Sequence, residues 1–228
     1  MARAQAVRHA PEPRRDQVLR VAEALFARAG YRGVGLREIA AQVGIRAPSL
    51  FKHFESKRAL FNAVLLNIFT RLLELARRLE DGGPFPERLQ EFIDGYVELV
   101  AGDPHVVALI FREMMERSDV MEPATRGAAY EIYRRIDAFL DAGQRAGQFR
   151  AGDRFTFQIA LSGAILYHGL AARPYQAALL DGAGRADIDT WKATLHGIAR
   201  GALLVRAAPY AGLDRTAPRR VVRKATVR

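Results

Sequence analysis

A short stretch of mixed chemistry, residues 44–54, constrains the fold of this 228-residue chain more than any other. Gly44 can adopt the left-handed backbone that a sharp turn between two helices requires. Leu50, Phe51 and Phe54 recur at helical spacing and are predicted to hold the segment against a core. The remaining residues are small, polar or cationic and are predicted to point outward: Ala47, Pro48, Ser49, Lys52 and His53. A helix with two such faces suits a groove lined by phosphates.

The residues on either side of this stretch complete a three-helix unit. Apolar residues at positions 18, 21, 22, 25, 26 and 29 predict an amphipathic first helix that ends at Gly30. A second helix of about two turns is predicted from Leu36 to Val43, and Ser56 is predicted to cap a long fourth helix. Two short helices joined by a tight glycine turn are the signature of a helix-turn-helix.

Positive charge is concentrated at the two ends of the chain, whose formal net charge is +10. Residues 1–60 hold 12 Lys and Arg against 5 Asp and Glu, and residues 209–228 hold 6 against 1. Residues 61–208, between these two segments, hold 17 Lys and Arg against 19 Asp and Glu. This distribution indicates a polyanion-binding head on a nearly neutral body. Segments 1–13 and 209–228 are expected to be a flexible basic arm and a flexible basic tail.

The rest of the chain, residues 61–208, is predicted to be helical. Apolar residues recur at helical spacing between breaks near Pro84, Gly102, Pro123, Gly147 and Asp189, and no useful strand alternation occurs.

The chain contains no Cys, which excludes disulfides and thiolate ligands, and its histidines lack metal-ligand spacing, so no metal is expected. Neither an apolar run of membrane-spanning length nor a signal peptide is recognised, so a cytoplasmic location is expected.

The segment from Arg14 to Leu65 resembles the N-terminal DNA-binding domain of the TetR family of bacterial transcriptional regulators. The resemblance rests on the order and spacing of short motifs: Ala29-Gly30-Tyr31, Leu36-Arg37-Glu38-Ile39-Ala40, Val43-Gly44-Ile45, Ser49-Leu50-Phe51, His53-Phe54 and Ser56-Lys57. It implies an all-α fold of nine helices. Three form a DNA-binding head over residues 14–60, and six form an effector-binding and dimerisation body over residues 61–208.

The resemblance also implies how the head contacts DNA. Arg37 matches a position that reaches a phosphate or base edge, and His53 and Lys57 match phosphate clamps. The positions that face the major groove are matched by Ala47, Pro48, Ser49 and Lys52.

The chain departs from the family pattern at three positions of the head. Gly35 stands where Ser or Thr is usual, and Phe51 stands where Tyr is usual among the DNA-facing residues, so each lacks a hydroxyl that could contact a phosphate. Arg46 replaces a frequent Ser at the start of the recognition helix, which exchanges a helix cap for a cation able to reach guanine.

Two further sites are expected in the body. Small residues on the last two helices would let helices approach closely, and the family places its dimer interface there: Gly163, Ala164, Gly197 and Gly201. An Ala- and Gly-rich composition that scatters small residues everywhere is the alternative. An effector pocket is predicted from flexible and aromatic side chains, although a plain core would use the same residues: Phe92, Tyr96, Phe111, Met114, Met115, Phe139, Phe157, Tyr167 and His168.

These features together predict a sequence-specific transcriptional regulator. We expect a homodimeric repressor that binds a palindromic double-stranded operator and responds to a small, partly apolar effector, without a cofactor. The alternative is a non-specific architectural DNA-binding protein without a ligand switch. An enzyme is not expected, because the sequence contains no Glu-x-x-His metal motif, phosphate loop or nucleophile elbow.

Overall fold

The computed structural model describes residues 14–116, 119–179 and 187–203, which form nine helices and no strand. This confirms the predicted all-α, nine-helix fold; the predicted arm 1–13 and tail 209–228 lie outside the described residues. In chain order the helices are α1 (Arg14–Gly33), α2 (Leu36–Val43), α3 (Ala47–Leu50), α4 (Lys57–Arg78), α5 (Phe85–Gly102), α6 (Pro104–Glu116), α7 (Pro123–Arg145), α8 (Arg154–Leu179) and α9 (Ile188–Leu203).

The head follows the local signals of the sequence closely. Gly30 leaves helical geometry with φ 71° and ψ 173°, so the regular part of α1 ends there. Gly44 caps α2 in the left-handed region with φ 73° and ψ 33°. Ser56 caps α4, because its Oγ accepts a hydrogen bond from the Ala59 N–H at 3.0 Å. All three predicted helix boundaries are therefore confirmed.

Helix α4 is the central element that joins the head to the body. It packs against α1 on the head side and against α5 and α7 on the body side. Within the described ranges it is the one helix whose length and apolar composition would allow a membrane span, contrary to the expectation from the sequence. Its apolar face is instead core, since Leu60, Leu65 and Ile68 are completely buried.

The body is built from α5 to α9 around the same continuous core. The predicted apolar face of α5 is buried throughout: Leu89, Phe92, Ile93, Tyr96, Val97 and Val100. The predicted end of α8 at Leu170 is wrong, because the helix continues to Leu179. The predicted α9 extended to Arg206, and the described helix reaches Leu203.

Candidate functional site

Helices α2 and α3 form a compact helix-turn-helix at the surface of the head. The turn is closed by hydrogen bonds from the Gly44 N–H to the Ala41 carbonyl (3.1 Å) and from the Ile45 N–H to the Ala40 carbonyl (2.9 Å). Helix α3 makes one turn, with Pro48 near its start, and the chain continues in turns in which the His53 and Phe54 N–H groups both bond the Leu50 carbonyl at 2.9 Å. These bonds fix the backbone of the whole segment.

One face of this segment is core and the other is open. Leu50 and Phe54 are buried, whereas the half-buried Ala47 and Ser49 border the surface. The other predicted DNA-facing side chains are exposed: Arg37, Arg46, Pro48, Phe51, Lys52 and His53. Arg46 precedes α3 in extended conformation and makes no side-chain cap, which leaves its guanidinium on the outer side of the helix start. The open face is therefore cationic and polar, with two apolar members.

The prediction that Phe51 packs into the core is wrong. Its side chain is 54% exposed. Helix α3 ends at Leu50, Phe51 is its C-cap residue, and Leu50 and Phe54 fill the core positions. Phe51 accordingly lies on the outer surface with Lys52 and His53.

Two cations beside the helix-turn-helix are held by aromatic rings. The Lys57 Nζ lies 4.5 Å from the ring centroid of Tyr31, and burial lowers the pKa of this lysine. Tyr31 in turn packs on Phe61 at 5.1 Å between ring centroids. The Arg15 guanidinium lies 5.3 Å from the centroid of Phe54, and its position was not predicted. The one sequence signal for Arg15 is the basic pair at residues 14–15 before the first apolar helix.

The head is joined to the body by polar contacts that the sequence did not predict. Arg112 on α6 donates from Nε to the Ala27 carbonyl (3.0 Å) and from Nη2 to the Arg28 carbonyl (2.9 Å) near the end of α1. Glu23 on α1 is 7% exposed, and its carboxyl bonds Asp103, which forms an ion pair of 3.0 Å with Arg71. Burial, followed by the hydrogen bond to Asp103, raises the pKa of Glu23 from its usual 4.5 to about 7.

An open cleft of about 360 Å³ lies between α4, α6 and α7. Of the nine residues predicted for an effector pocket, Met114 lines it. The other lining residues were missed from sequence, because they lie on separate helices and share no linear pattern: Phe69, Ile110, Glu113, Met121, Arg126, Ala129, Tyr130 and Tyr133. Aromatic, aliphatic and Met side chains predominate, with one cation and one carboxylate.

The other predicted pocket residues are distributed over the body. Phe92, Tyr96 and Phe139 are buried in the core, whereas Met115 and Tyr167 are exposed. Phe111 is partly buried against the core, and Phe157 lines a second cleft, near the start of α8. His168 stacks on Trp191 with 4.1 Å between ring centroids, and burial lowers the pKa of this histidine. The structure does not bring these nine residues into one site.

Helices α8 and α9 present small and apolar residues to solvent. Gly163, Gly197 and Gly201 are exposed, and a Cβ added at any of them would meet no atom of the described residues within 4 Å. Ala164 is half-buried and packs against the core. The same two helices expose large apolar side chains: Phe155, Ile159, Leu170 and Ile198. Phe155, Ile159 and Gly163 follow at four-residue spacing and so lie on one face of α8.

Comparisons with known proteins cover both parts of the chain. The family model described as "Bacterial regulatory proteins, tetR family" matches residues 18–64, and the one described as "Tetracyclin repressor-like, C-terminal domain" matches residues 82–168. Together the two models match more than half of the chain.

Among curated proteins, the HTH-type transcriptional activator FasR of Mycolicibacterium smegmatis is 32% identical over 113 residues, covering 49% of this chain and 50% of its own. The HTH-type transcriptional repressor KstR2 of Mycobacterium tuberculosis is 31% identical over 105 residues, covering 46% and 52%. The chain thus spans about half the length of these relatives.

A solved structure has the same fold. The ketosteroid transcriptional regulator KstR2 of Mycobacterium tuberculosis superposes with a TM-score of 0.69 at 21% sequence identity. The superposition covers 88% of this chain and 100% of that one. At this identity the likeness concerns the fold alone.

Proposed function

The chain belongs to the TetR family of bacterial regulatory proteins, and we propose that it is a transcriptional regulator that binds a specific operator sequence. The observation that carries this proposal is the open face of the helix-turn-helix. Its buried side is fixed by Leu50 and Phe54, while Arg46, Lys52 and His53 are exposed on a rigid backbone. Cationic and polar side chains on either side of one short helix supply what phosphate and base contacts in a major groove need.

The open face divides into two kinds of contact. Arg46 and Lys52 can donate hydrogen bonds to the O6 and N7 of guanine, so we assign sequence recognition to them, with Ser49 beside them. His53, Lys57 and Arg37 are assigned to phosphates, which position the head without recognising bases. Lys57 suits this role because Tyr31 holds its ammonium in place beside the helix-turn-helix.

We propose that the regulator acts as a homodimer through α8 and α9. These helices expose Phe155, Ile159 and Ile198 beside glycines with open space around them. Exposed apolar surface of this kind is typical of a protein interface, and glycine lets two helices approach closely. A two-fold dimer would present two heads to a palindromic operator whose half-sites are one helical turn apart, roughly 34 to 36 Å.

The cleft between α4, α6 and α7 is the site that we propose for a small-molecule effector. Its lining of Phe69, Ile110, Met114 and two tyrosines favours a largely apolar ligand, and Arg126 offers one cationic group at the wall. The similar protein KstR2 is described as a ketosteroid transcriptional regulator, which agrees with a ligand of this kind. Effector binding would release the operator, which makes the protein a ligand-responsive repressor. Such a regulator acts in the cytoplasm, where it reaches DNA.

Selection of bound sequences from a random duplex library tests this function. The purified chain is expected to enrich an inverted repeat with half-sites about one helical turn apart. An Arg46→Ala, Lys52→Ala double variant is the matched control, and it is expected to lose the enrichment while keeping weak binding to any duplex. If the wild-type chain enriches no motif, the protein is a non-specific architectural DNA binder.

A further inference from the structure

Three ionisable side chains meet where the DNA-binding head contacts the body. Glu23, on α1, is 7% exposed. Its carboxyl forms a hydrogen bond with the carboxyl of Asp103, which stands between α5 and α6. From α4, the Arg71 Nη1 donates to the Asp103 Oδ2 at 3.0 Å. We call Glu23, Asp103 and Arg71 the carboxyl latch, because their contacts join α1 of the head to the segment between α5 and α6.

The bond between the two carboxyl groups requires a proton. An ionised carboxylate only accepts hydrogen bonds, so one of the two groups must be protonated in order to donate. Arg71 and the His105 N–H, which donates to the Asp103 Oδ1 at 3.1 Å, both stabilise the ionised form of Asp103. Burial, followed by the bond to Asp103, raises the pKa of Glu23 to about 7. Below this pH the proton therefore resides on Glu23, and the latch is closed.

Helices α2, α4 and α6 pack against α1, and their other charged residues near the latch are engaged elsewhere or lie at the surface. Arg112 of α6 donates to backbone carbonyls near the end of α1, and Glu38 of α2 pairs with an arginine of α1. Arg20, one turn earlier on α1 than the latch, and Glu74, one turn further on α4, are exposed. Among the described residues, the ionisation of Glu23 is therefore governed by burial and by its two latch partners.

A rise in pH changes the charge balance of the latch. When Glu23 ionises, two carboxylates share one arginine, and the hydrogen bond between them loses its proton. Like charges at this distance repel each other, and a buried charge without a partner is costly. Separation of α1 from Asp103 removes both costs, because water then reaches the two carboxylates.

We propose that the carboxyl latch is a proton-dependent switch, which docks the DNA-binding head on the body at low pH and releases it at high pH. The proposal goes beyond the proposed function and uses it only where operator affinity is measured. Release breaks the contact of α1 with the segment between α5 and α6, and it needs no ligand in the cleft. A released head samples more orientations, so it loses more conformational entropy when it binds a half-site. Operator affinity is therefore expected to fall as the latch opens.

Amide hydrogen exchange of the DNA-free protein measures opening of the latch. Protection factors, from which the intrinsic effect of pH on exchange is removed, are compared at pH 6 and pH 8. Residues 20–27 of α1 are expected to be less protected than residues 89–97 of α5, because they are released without global unfolding. The protection factor of residues 20–27 is expected to fall by about threefold or more between the two pH values, since opening becomes easier as Glu23 ionises.

Two substitutions in the latch separate its titration from a structural role. Glu23→Gln can still donate to Asp103 but does not ionise, so its protection factor for residues 20–27 is expected to change by less than about twofold over the same range. Asp103→Asn keeps an acceptor for the His105 N–H and removes the neighbouring negative charge. The midpoint of its pH dependence is expected to lie below that of the wild type. Glu38→Gln, which removes a negative charge elsewhere in the head, is the matched control and is expected to keep the wild-type pH dependence of residues 20–27.

Operator affinity is the second readout. The ratio of wild-type affinity to Glu23→Gln affinity at one salt concentration is expected to fall by about threefold or more from pH 6 to pH 8. Division by the affinity of the variant cancels the effect of pH on the DNA contacts themselves. The inference is overturned if residues 20–27 are as well protected as α5, if wild type and Glu23→Gln share one pH dependence, or if the affinity ratio stays constant. A wild-type chain that selects no operator, with exchange as expected, would instead overturn the proposed function alone.

Discussion

Lys57 is held in place by its neighbours before any DNA arrives. Its ammonium rests on the Tyr31 ring at the first residue of α4, and partial burial lowers its pKa. A side chain that is already positioned loses less conformational entropy when it binds, so a phosphate contact from Lys57 would cost little ordering. The same contact makes Lys57 a small contributor to the stability of the head.

Lys57→Ala is expected to weaken binding to all duplexes alike. It is also expected to make the slope of log K against log salt concentration less steep by about one unit. The measurement is a salt titration of affinity for operator and for random DNA. Lys192→Ala is the matched control, since Lys192 is paired with Glu98 on the body. An unchanged salt slope in Lys57→Ala would show that this lysine makes no phosphate contact.

Glu23 is a buried carboxyl group at the contact between head and body. Its pKa is raised to about 7, so the folded chain binds more protons than the unfolded chain between about pH 4.5 and pH 7. The free energy of unfolding contributed by Glu23 is therefore highest below pH 4.5, falls as the pH rises to about 7 and is level above that. Asp103 responds in a different range, because the Arg71 and Glu23 hydrogen bonds outweigh burial and lower its pKa.

Glu23→Gln removes this titration while keeping an amide that can donate to Asp103. The melting temperature of the variant relative to wild type is expected to rise as the pH is raised from 5 to 8, with the variant the more stable at pH 8. Glu38→Gln, at a half-exposed carboxylate of the same head, is the control for the loss of one negative charge. A pH-independent difference for Glu23→Gln would mean that Glu23 is ionised in the folded chain.

At the scale of single elements, α3 is the shortest helix of the described residues and the one to which we assign sequence recognition. Its backbone is fixed by the Leu50 carbonyl, which accepts from His53 and Phe54, and by the burial of Leu50 itself. Arg46 stands in extended conformation just before the helix. Side chains on so short an element are set by these few contacts, so single substitutions should act on particular base pairs.

Arg46→Ser and Lys52→Ala are each expected to relax discrimination at particular base pairs, by roughly 1 to 3 kcal/mol where the contact is bidentate. Affinity for a panel of singly substituted operators measures this. Arg20→Ala, an exposed arginine of α1 outside the helix-turn-helix, is the control. If both variants penalise every base substitution as the wild type does, α3 does not carry the recognition.

Helix boundaries were predictable because they depend on local chemistry. Gly30, Gly44 and Ser56 act through their own backbone or side chain, and the structure places all three at helix ends. Phe51 could not be placed from its spacing, since helical periodicity assumes a helix that in fact ends one residue earlier. Which residues of such a short segment face the core and which face solvent depends on how the neighbouring helices pack. The spacing of apolar residues in the sequence does not show that packing.

A substitution on the exposed face of α8 and α9 tests dimer assembly without disturbing the folded monomer. A Cβ added at Gly201 meets no atom of the described residues within 4 Å, and Leu is a better helix former than Gly, so Gly201→Leu should not destabilise the folded monomer. We expect the variant to shift the dimer toward monomer in sedimentation and to lose operator affinity.

Gly127→Leu is the matched control, because Gly127 is likewise an exposed helical glycine with open surroundings. It is expected to remain dimeric and to bind normally. A Gly201→Leu protein that stays dimeric with unchanged operator affinity would remove Gly201 from the interface.

At the scale of the whole molecule, contacts between distant parts of the chain could not be predicted. The cleft that we propose for an effector draws residues from α4, α6 and α7, and Asn62 of α4 accepts a hydrogen bond from the Glu122 N–H. Neither set forms a linear motif, because each depends on how separate helices pack. The sequence pattern identified core faces such as that of α5, but several of the aromatic residues assigned to a pocket prove to be core.

The same packing makes one helix common to the DNA-binding head and the body. Helix α4 contacts α1 in the head and α5 and α7 in the body, so the two parts share a rigid element. A ligand can act through it only by binding one state of the molecule more tightly: reversing a 99:1 population requires a preference of about 10⁴, or roughly 5.5 kcal/mol.

The central claim is that the head recognises a specific sequence, and the ratio of operator affinity to random-DNA affinity at one fixed salt concentration tests it most directly. A sequence-specific regulator is expected to bind its selected operator at least about 10³-fold more tightly than random duplex of the same length. The Arg46→Ala, Lys52→Ala double variant should bring this ratio close to one with little change in the random-DNA affinity. A wild-type ratio near one at every salt concentration would contradict the account and show that the protein binds DNA through charge alone.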